Sequence, residues 1–249
     1  MLSFIIQARM GSTRLPSKIL LPFYQDKSIF DLLLEKLQSH FQNIPIILAT
    51  SENKENDFLE EKAKQKGISV FRGNETDVLS RFIAAAKSFN CQKIIRICSD
   101  NPFLDVSELQ KLVDFSENND YDYVSFLVDG KPSIKTHFGF WAEYVTLEAL
   151  EQVNTLTKMP LYHEHVTNYI YENPDIFSIH FLNPNRKVLG RDDIRMTLDT
   201  HQDFEILSEI YEILSEKNVS LGISQIIDFL DNNPDYKTRM TQQIKQNTK

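Results

Sequence analysis

Three cations, Arg9, Arg14 and Lys18, stand close together in Gln7-Ala8-Arg9-Met10-Gly11-Ser12-Thr13-Arg14-Leu15-Pro16-Ser17-Lys18, and the first acidic residue of the chain is Asp26. The whole chain carries a net charge of −8, so this stretch sets a local positive field against the global one. Gly11 lets the backbone turn and approach a ligand closely, while Ser12 and Thr13 add hydroxyl donors. Successive N–H groups in such a turn form an anion-binding nest. A polyphosphate suits that combination; a solvated basic loop is the plain alternative. The stretch fits neither Gly-x-x-x-x-Gly-Lys-Ser/Thr nor Gly-x-Gly-x-x-Gly, so the fingerprints of P-loop enzymes and of dinucleotide binders are both absent.

Two carboxylates complement these cations. Asp100 follows the apolar run 93–98 in Ser99-Asp100-Asn101-Pro102, and Asp199 follows the run 194–198. Carboxylates at the ends of two strands of one sheet make a Mg²⁺ site, because Mg²⁺ favours one or two carboxylates together with phosphate oxygens and water. The competing readings are a turn residue for Asp100 and a helix N-cap for Asp199, with Thr200 and Asp203 as a loose capping box. Arg72-Gly73 closes another run and Thr76-Asp77 opens a helix, which adds a positive group and a helix N-terminus to the same edge. Asp77 reads equally as a plain helix start. Arg96, inside an interior strand, needs a partner if buried, and serves either a base pocket or an ion pair. His163-Glu164-His165 does not make a zinc site, since residues two apart do not share a helix face. Trp141 reads as core packing.

The elements that must carry these groups follow from periodicity. Apolar runs at 2–8, 44–50, 69–71 and 93–98 alternate with amphipathic stretches at 29–39, 57–65, 77–89 and 106–115, the pattern of a parallel sheet covered by helices on both faces. In open sheets of this kind, ligands bind outside the carboxyl ends of the strands. Beyond Tyr121 the alternation loosens into a run at 123–128, a turn at Asp129-Gly130-Lys131-Pro132 and a run at 136–145, which predicts a hairpin or a small insertion. A helix over 161–171, strands over 176–182 and 194–198, helices over 203–214 and 224–230, and a frayed polar tail from Asp235 complete the expectation. No internal repeat or long linker breaks the chain. The simplest organisation is one domain over 1–234 with an insertion at about 120–191 and a polar tail over 235–249.

The composition limits the partners. With 27 Lys+Arg against 35 Asp+Glu among 249 residues, the chain lacks the broad basic face that nucleic acid requires. Apolar stretches such as 44–49 fall well short of the roughly 18 residues of a membrane span, and the start lacks the basic n-region of a signal peptide. A cytoplasmic location follows as the expectation. Cys91 and Cys98 flank a strand and lie roughly 23 Å apart in extended chain, beyond the reach of about 7 Å that a disulfide allows, so both should be free thiols.

The block from Gln7 to Lys18 resembles the N-terminal signature of the SpsF-like cytidylyltransferases, relatives of the 3-deoxy-manno-octulosonate and acylneuraminate cytidylyltransferases. The resemblance continues through 70–79, 95–104, 164–167 and 198–204, in order and over nearly the whole chain. It departs at Ser17, where glycine is usual before the lysine, and at 138–143, which is only loosely similar to the acceptor region. The resemblance implies a Rossmann-like, GT-A-like nucleotidyltransferase fold and transfer of CMP from CTP to a sugar acid of nonulosonic or 2-keto-3-deoxy type, for surface glycan synthesis. It implies Arg9, Arg14 and Lys18 on the triphosphate, Gly11, Ser12 and Thr13 as the nest, and backbone groups at Ala8 on the cytosine. Asp100 and Asp199 would hold Mg²⁺; Arg72, Gly73, Asp77 and Arg96 would lie near base and ribose. Glu143 and His165 are the implied acceptor contacts, and pairing through 120–191 would give a homodimer. Two alternatives are the same fold using UTP or GTP with a sugar 1-phosphate, and a catalytically silent CTP-binding regulator.

Overall fold

The structure, a computed structural model, describes residues 1–11 and 14–247. β1 (Leu2–Gln7) leads through a small hairpin, β2 (Pro22–Tyr24) and β3 (Lys27–Ser28), into α1 (Ile29–His40). β4 (Ile46–Ser51), α2 (Asp57–Gln65), β5 (Ser69–Gly73), α3 (Val78–Ser88), β6 (Lys93–Cys98) and α4 (Val106–Asn118) follow. Next come β7 (Tyr123–Val128), β8 (Lys131–Pro132), β9 (Glu143–Thr146), α5 (Leu147–Leu156), α6 (Pro160–Glu164), α7 (Asn168–Glu172) and β10 (Ile179–Leu182). α8 (His201–Glu216), α9 (Ile223–Asn232) and α10 (Pro234–Gln246) end the described chain.

The main sheet has eight strands in the order β10-β7-β9-β6-β1-β4-β5, with β8 on β7. β5, β4, β1 and β6 are parallel, and β9 runs antiparallel to both its neighbours. The chain leaves β1 toward β4 on one side and later returns to β6 on the other. The crevice of this mixed, mostly parallel Rossmann-like sheet therefore opens between the loops after β1 and β6. Both faces of the sheet are covered. Phe4 and Ile6 of β1 pack with α1, α4 and α8 through Leu33, Leu112 and Ile210, whereas Ile5 packs with α3 and α5 through Phe82 and Val153. One residue of offset selects the face, as the period of two in a strand requires.

Four expectations change. The segment 194–198 is no strand: Met196 and Thr197 donate to the His137 carbonyl and Leu198 to that of Asp100, outside any ladder. Its apolar run reports burial, which an extended segment laid across a core achieves without pairing. The helix over 161–171 splits into α6 and α7, and the break points the Thr167 hydroxyl at Glu143. α5, capped by Thr146 and buried through Leu147, Leu150 and Val153, was not foreseen. The tail from Asp235 is α10, with Met240 and Gln243 buried. Cys91 and Cys98 are both free thiols.

Candidate active site

The loop after β1 reaches across the crevice to the ends of β6 and of the 194–198 segment. Ala8 is buried at its start, and Ser12 and Thr13 lie outside the described residues. Lys18 Nζ lies 2.6 Å from the Leu198 carbonyl, 3.1 Å from Asp100 Oδ2 and 3.8 Å from Asp199 Oδ1. Arg14 Nη2 meets the same Asp199 oxygen at 3.0 Å. Four of the expected residues thus converge, and a single ammonium already sits between the two carboxylates. That arrangement fits a divalent cation. Among the described residues no group of three or more His, Cys, Asp or Glu could hold a metal, so an ion here would rest on these two carboxylates, phosphate oxygens and water.

Local structure fixes Asp199. Thr200, rather than Asp199, is the N-cap of α8, in a reciprocal capping box with Asp203. Asp203 Oδ2 accepts the N–H groups of Asp199 and Thr200 at 3.0 and 2.9 Å. Arg195 joins Asp203 to the second oxygen of Asp199 at 2.9 Å. Burial alone would raise the Asp203 carboxyl, but the Arg195 fork and the two N–H groups hold it below its ordinary value. Arg195 escaped the sequence reading because its run looked like strand interior.

Ser17 sits at φ 59°, in the left-handed region that suits glycine. That conformation costs a non-glycine residue about 1–2 kcal/mol, offset in part by the greater unfolded-state freedom of glycine. Ser17→Gly should therefore raise Tm by about 2–4 °C, a scale of roughly 1 kcal/mol for a chain of this size. A lower Tm in a thermal melt would show that no strain resides there.

Several expected nucleotide contacts are committed elsewhere. Arg72 is the clearest: its Nε donates to Ser51 O, Nη1 to Asp57 and Glu60, and Nη2 to the carbonyls of Glu52 and Asn53. Its fork is saturated, so Arg72 ties the loop after β4 to the first turn of α2 instead of facing the base. That loop then supports the site, since Asn56 Oδ1 accepts the Met10 N–H at 2.9 Å. Gly73 is a packing position, where a Cβ would lie 3.0 Å from Phe71 and 3.1 Å from Arg81. A Cβ at Gly11 would stand 2.6 Å from Glu55 Oε1, the end of an exposed side chain that is free to swing aside. Arg9 pairs with Glu75 at 3.0 Å and stays partly exposed. Asp77 is the α3 N-cap and faces His163 Nδ1 at 2.9 Å. Burial would raise its carboxyl, yet the Ser80 N–H and His163 lower it.

Arg96 and Glu143 form a buried ion pair between adjacent antiparallel strands. Glu143 also receives the Tyr123 hydroxyl and, at 3.1 Å, that of Thr167; Arg96 Nη2 reaches Gln7 Oε1 at 2.9 Å. Glu143 is 2% exposed, so the expected direct acceptor contact gives way to a supporting role. Burial and the Glu143 carboxylate keep the Tyr123 phenol well above its ordinary value, and it acts as a donor.

Next to the Lys18 cluster opens a cavity of about 740 Å³. Arg14, Asp100 and Asp199 line it together with Lys131, Lys135, Thr136, His165 and Trp141; Lys135 Nζ pairs with Glu172 at 2.8 Å and lies over the Tyr171 ring at 5.0 Å. Trp141 donates to Glu108 at 3.3 Å and is largely buried, so it serves core and cavity together. Lys131 and Lys135 were missed, although the Asp-Gly-Lys-Pro turn that carries the first was visible.

Lys36 of α1 was also missed. Its Nζ donates to the carbonyls of Leu104 at 2.8 Å and Pro102 at 3.4 Å, bracing the loop that begins with Asp100. Burial lowers its pKa from 10.5 to about 8, opposed by Asp105. The folded protein therefore sheds this proton more readily than the unfolded chain, and the cost of burying the charge falls away as pH rises from about 8 toward 10.5. Urea unfolding should show wild type gaining stability relative to Lys36→Met between pH 8 and 10. A constant difference would contradict the buried charge.

Over residues 3–243 the chain matches the family model described as cytidylyltransferase. It is 33% identical over 242 residues to the spore coat polysaccharide biosynthesis protein SpsF of Bacillus subtilis, covering 94% of this chain and 96% of that protein. A cytidylyltransferase from Leptospira borgpetersenii superposes with a TM-score of 0.79 at 32% identity, covering 94% and 95% of the two chains. A CMP:2-keto-3-deoxy-manno-octonic acid synthetase complexed with CTP shares the fold at 14% identity, with a TM-score of 0.63 and coverage of 87% and 99%.

Proposed function

The chain belongs to the cytidylyltransferase family, and on that premise we propose that it transfers CMP from CTP to a sugar acid of nonulosonic or 2-keto-3-deoxy type, releasing pyrophosphate, for surface glycan synthesis. The observation that carries the choice of acceptor is the cavity beside the Lys18 cluster, whose lining adds Lys131, and Lys135 in its pair with Glu172, to Arg14. Basic side chains in the lining of a cavity next to the phosphate-binding loop suit an acceptor that brings its own negative charge.

In this reaction an acceptor oxygen bonds to the α-phosphorus while the bond to the β-phosphate oxygen breaks, and catalysis consists mostly of positioning and charge neutralisation. Arg9 and Arg14 hold the triphosphate as forks, with Gly11, Ser12 and Thr13 supplying N–H and hydroxyl donors. Backbone groups at Ala8 meet the cytosine edge. Asp100 and Asp199 would hold Mg²⁺, which when bound templates the phosphates and polarises the α-phosphorus. Lys18 then turns from the carboxylates toward the α-phosphate and the departing pyrophosphate. His165, on the cavity wall, meets the acceptor.

No helix among the described residues is long and apolar enough to cross a membrane, and the reading carries with it a cytoplasmic enzyme. It also carries a homodimer through 120–191. Among the described residues, six of the eight exposed large apolar side chains, Leu127, Leu156, Met159, Leu161, Ile176 and Leu189, belong to that segment.

The acceptor class is tested by pyrophosphate release from CTP against a panel of 2-keto sugar acids and sugar 1-phosphates. Release with a keto acid and none with the phosphates is expected. Release with sugar 1-phosphates alone would overturn the acceptor assignment, and CTP binding without release under any condition would make the chain a regulator.

A further inference from the structure

α10 ends against the turn that carries Asp199. Gln243 Oε1 accepts the Thr200 hydroxyl at 3.1 Å, and that hydroxyl accepts the Asp203 N–H at 3.1 Å. The single proton of Thr200 is therefore committed and its rotor fixed. Asp203 in turn binds the N–H of Asp199 and the Arg195 fork that reaches Asp199. One turn further on, Asn247, the C-cap of α10, receives Arg14 Nη1 at 3.4 Å and donates its side-chain amide to the Gln243 carbonyl at 3.1 Å. Arg14 closes the circuit on Asp199 at 3.0 Å. The end of α10 thus touches both members of the Arg14–Asp199 pair, one through Thr200 and Asp203, the other directly.

Docking of the helix has separate causes. Met240 is buried, and Arg239 forks onto Glu209 at 2.7 and 3.2 Å and lies over the Tyr236 ring at 5.6 Å. An apolar residue at 243 would fill the same space. What the Gln243 amide adds is the bond to Thr200, and a buried amide is tolerated there because it is bonded.

We propose that α10 is part of the nucleotide site, with Gln243 and Asn247 as positioning residues that hold the Asp199 turn and the Arg14 fork ready for the triphosphate; this rests on the CTP reading above. The Arg14 side chain is 54% exposed, and a long exposed fork loses rotamer freedom when it closes on an anion. Ordering it beforehand lowers that loss, so the contribution falls on CTP affinity and leaves the chemical step alone.

The test is the equilibrium Kd for CTP by calorimetry together with kcat and KM, on the full chain, for wild type, Gln243→Met, Asn247→Ala and, as a control for helix docking, Arg239→Ala. Gln243→Met and Asn247→Ala should each raise Kd and KM by about 3–10-fold, the scale of ordering one long side chain, with kcat within about twofold. Arg239→Ala should lower Tm at least as far as either site variant does and leave Kd within about twofold. Wild-type affinity in both site variants, or an equal loss of affinity in Arg239→Ala, would overturn the role of α10 while leaving the CTP reading intact. Wild-type protein that does not bind CTP at all would overturn the reading beneath it.

Discussion

Replacing Lys18 by methionine is expected to lower kcat for CMP transfer by about 10²–10³-fold, the cost of removing one donor aimed at developing charge in a preorganised site. Lys18 differs from the other two cations of its loop. Its side chain is only 13% exposed and its ammonium bonds to Leu198 O and Asp100 and lies near Asp199, whereas Arg9 is 38% exposed and already balanced by Glu75. Methionine keeps the volume of the chain and deletes the charge, and Asp199 retains Arg14 and Arg195. The fold should therefore survive, with Tm within a few degrees. Arg9→Met should cost less, about tenfold and mainly in KM, since a partly solvated charge is worth less than a desolvated one. Comparable losses in the two variants would mean that the triphosphate leans on Arg9 as much as on Lys18 and does not lie chiefly over the carboxylates.

The second large effect concerns stability. Glu143→Ala removes the carboxylate that faces Arg96 inside the sheet, stranding a buried guanidinium and the hydroxyls of Tyr123 and Thr167. Breaking such a pair from one side costs about 3–5 kcal/mol, which in a chain of this size lowers Tm by roughly 6–20 °C. The double replacement Arg96→Met/Glu143→Leu should recover most of that loss, because it removes both charges and fills the space. Differential scanning calorimetry on the three variants decides the matter. If Glu143→Ala melts with wild type and only the KM for the acceptor rises, Glu143 is an acceptor contact after all.

What the sequence disclosed and what it concealed separate along physical lines. The parallel half of the sheet was legible because strands buried on both faces write continuous apolar runs, and helices over them write a 3.6 period. The Lys18 loop was legible because three cations precede the first acidic residue, and the family signature placed Asp100 and Asp199 opposite them. Pairings across the sheet were not legible. Arg96 and Glu143 lie 47 positions apart, on antiparallel neighbours that no local pattern aligns, and the saturation of Arg72 depends on carbonyls of a loop whose path the sequence does not give. α10 was hidden by its composition, since a helix that buries only Met240 and Gln243 has hardly any apolar stripe. The 194–198 run misled in the opposite sense, by being apolar without pairing. The lysines of the cavity lining were missed because Lys131 sits in a two-residue strand and Lys135 in the short turn after it, elements too short for any periodicity to announce.

The most direct test of the central claim is transfer of the α-phosphorus of CTP to an acidic sugar, followed with α-labelled CTP, UTP, GTP and ATP in parallel for wild type and Asp100→Ala. The account predicts a labelled CMP-sugar from CTP, little from the other three, and loss of at least about 10²-fold in the variant. Equal labelling from all four nucleotides, or full transfer by Asp100→Ala, would contradict it.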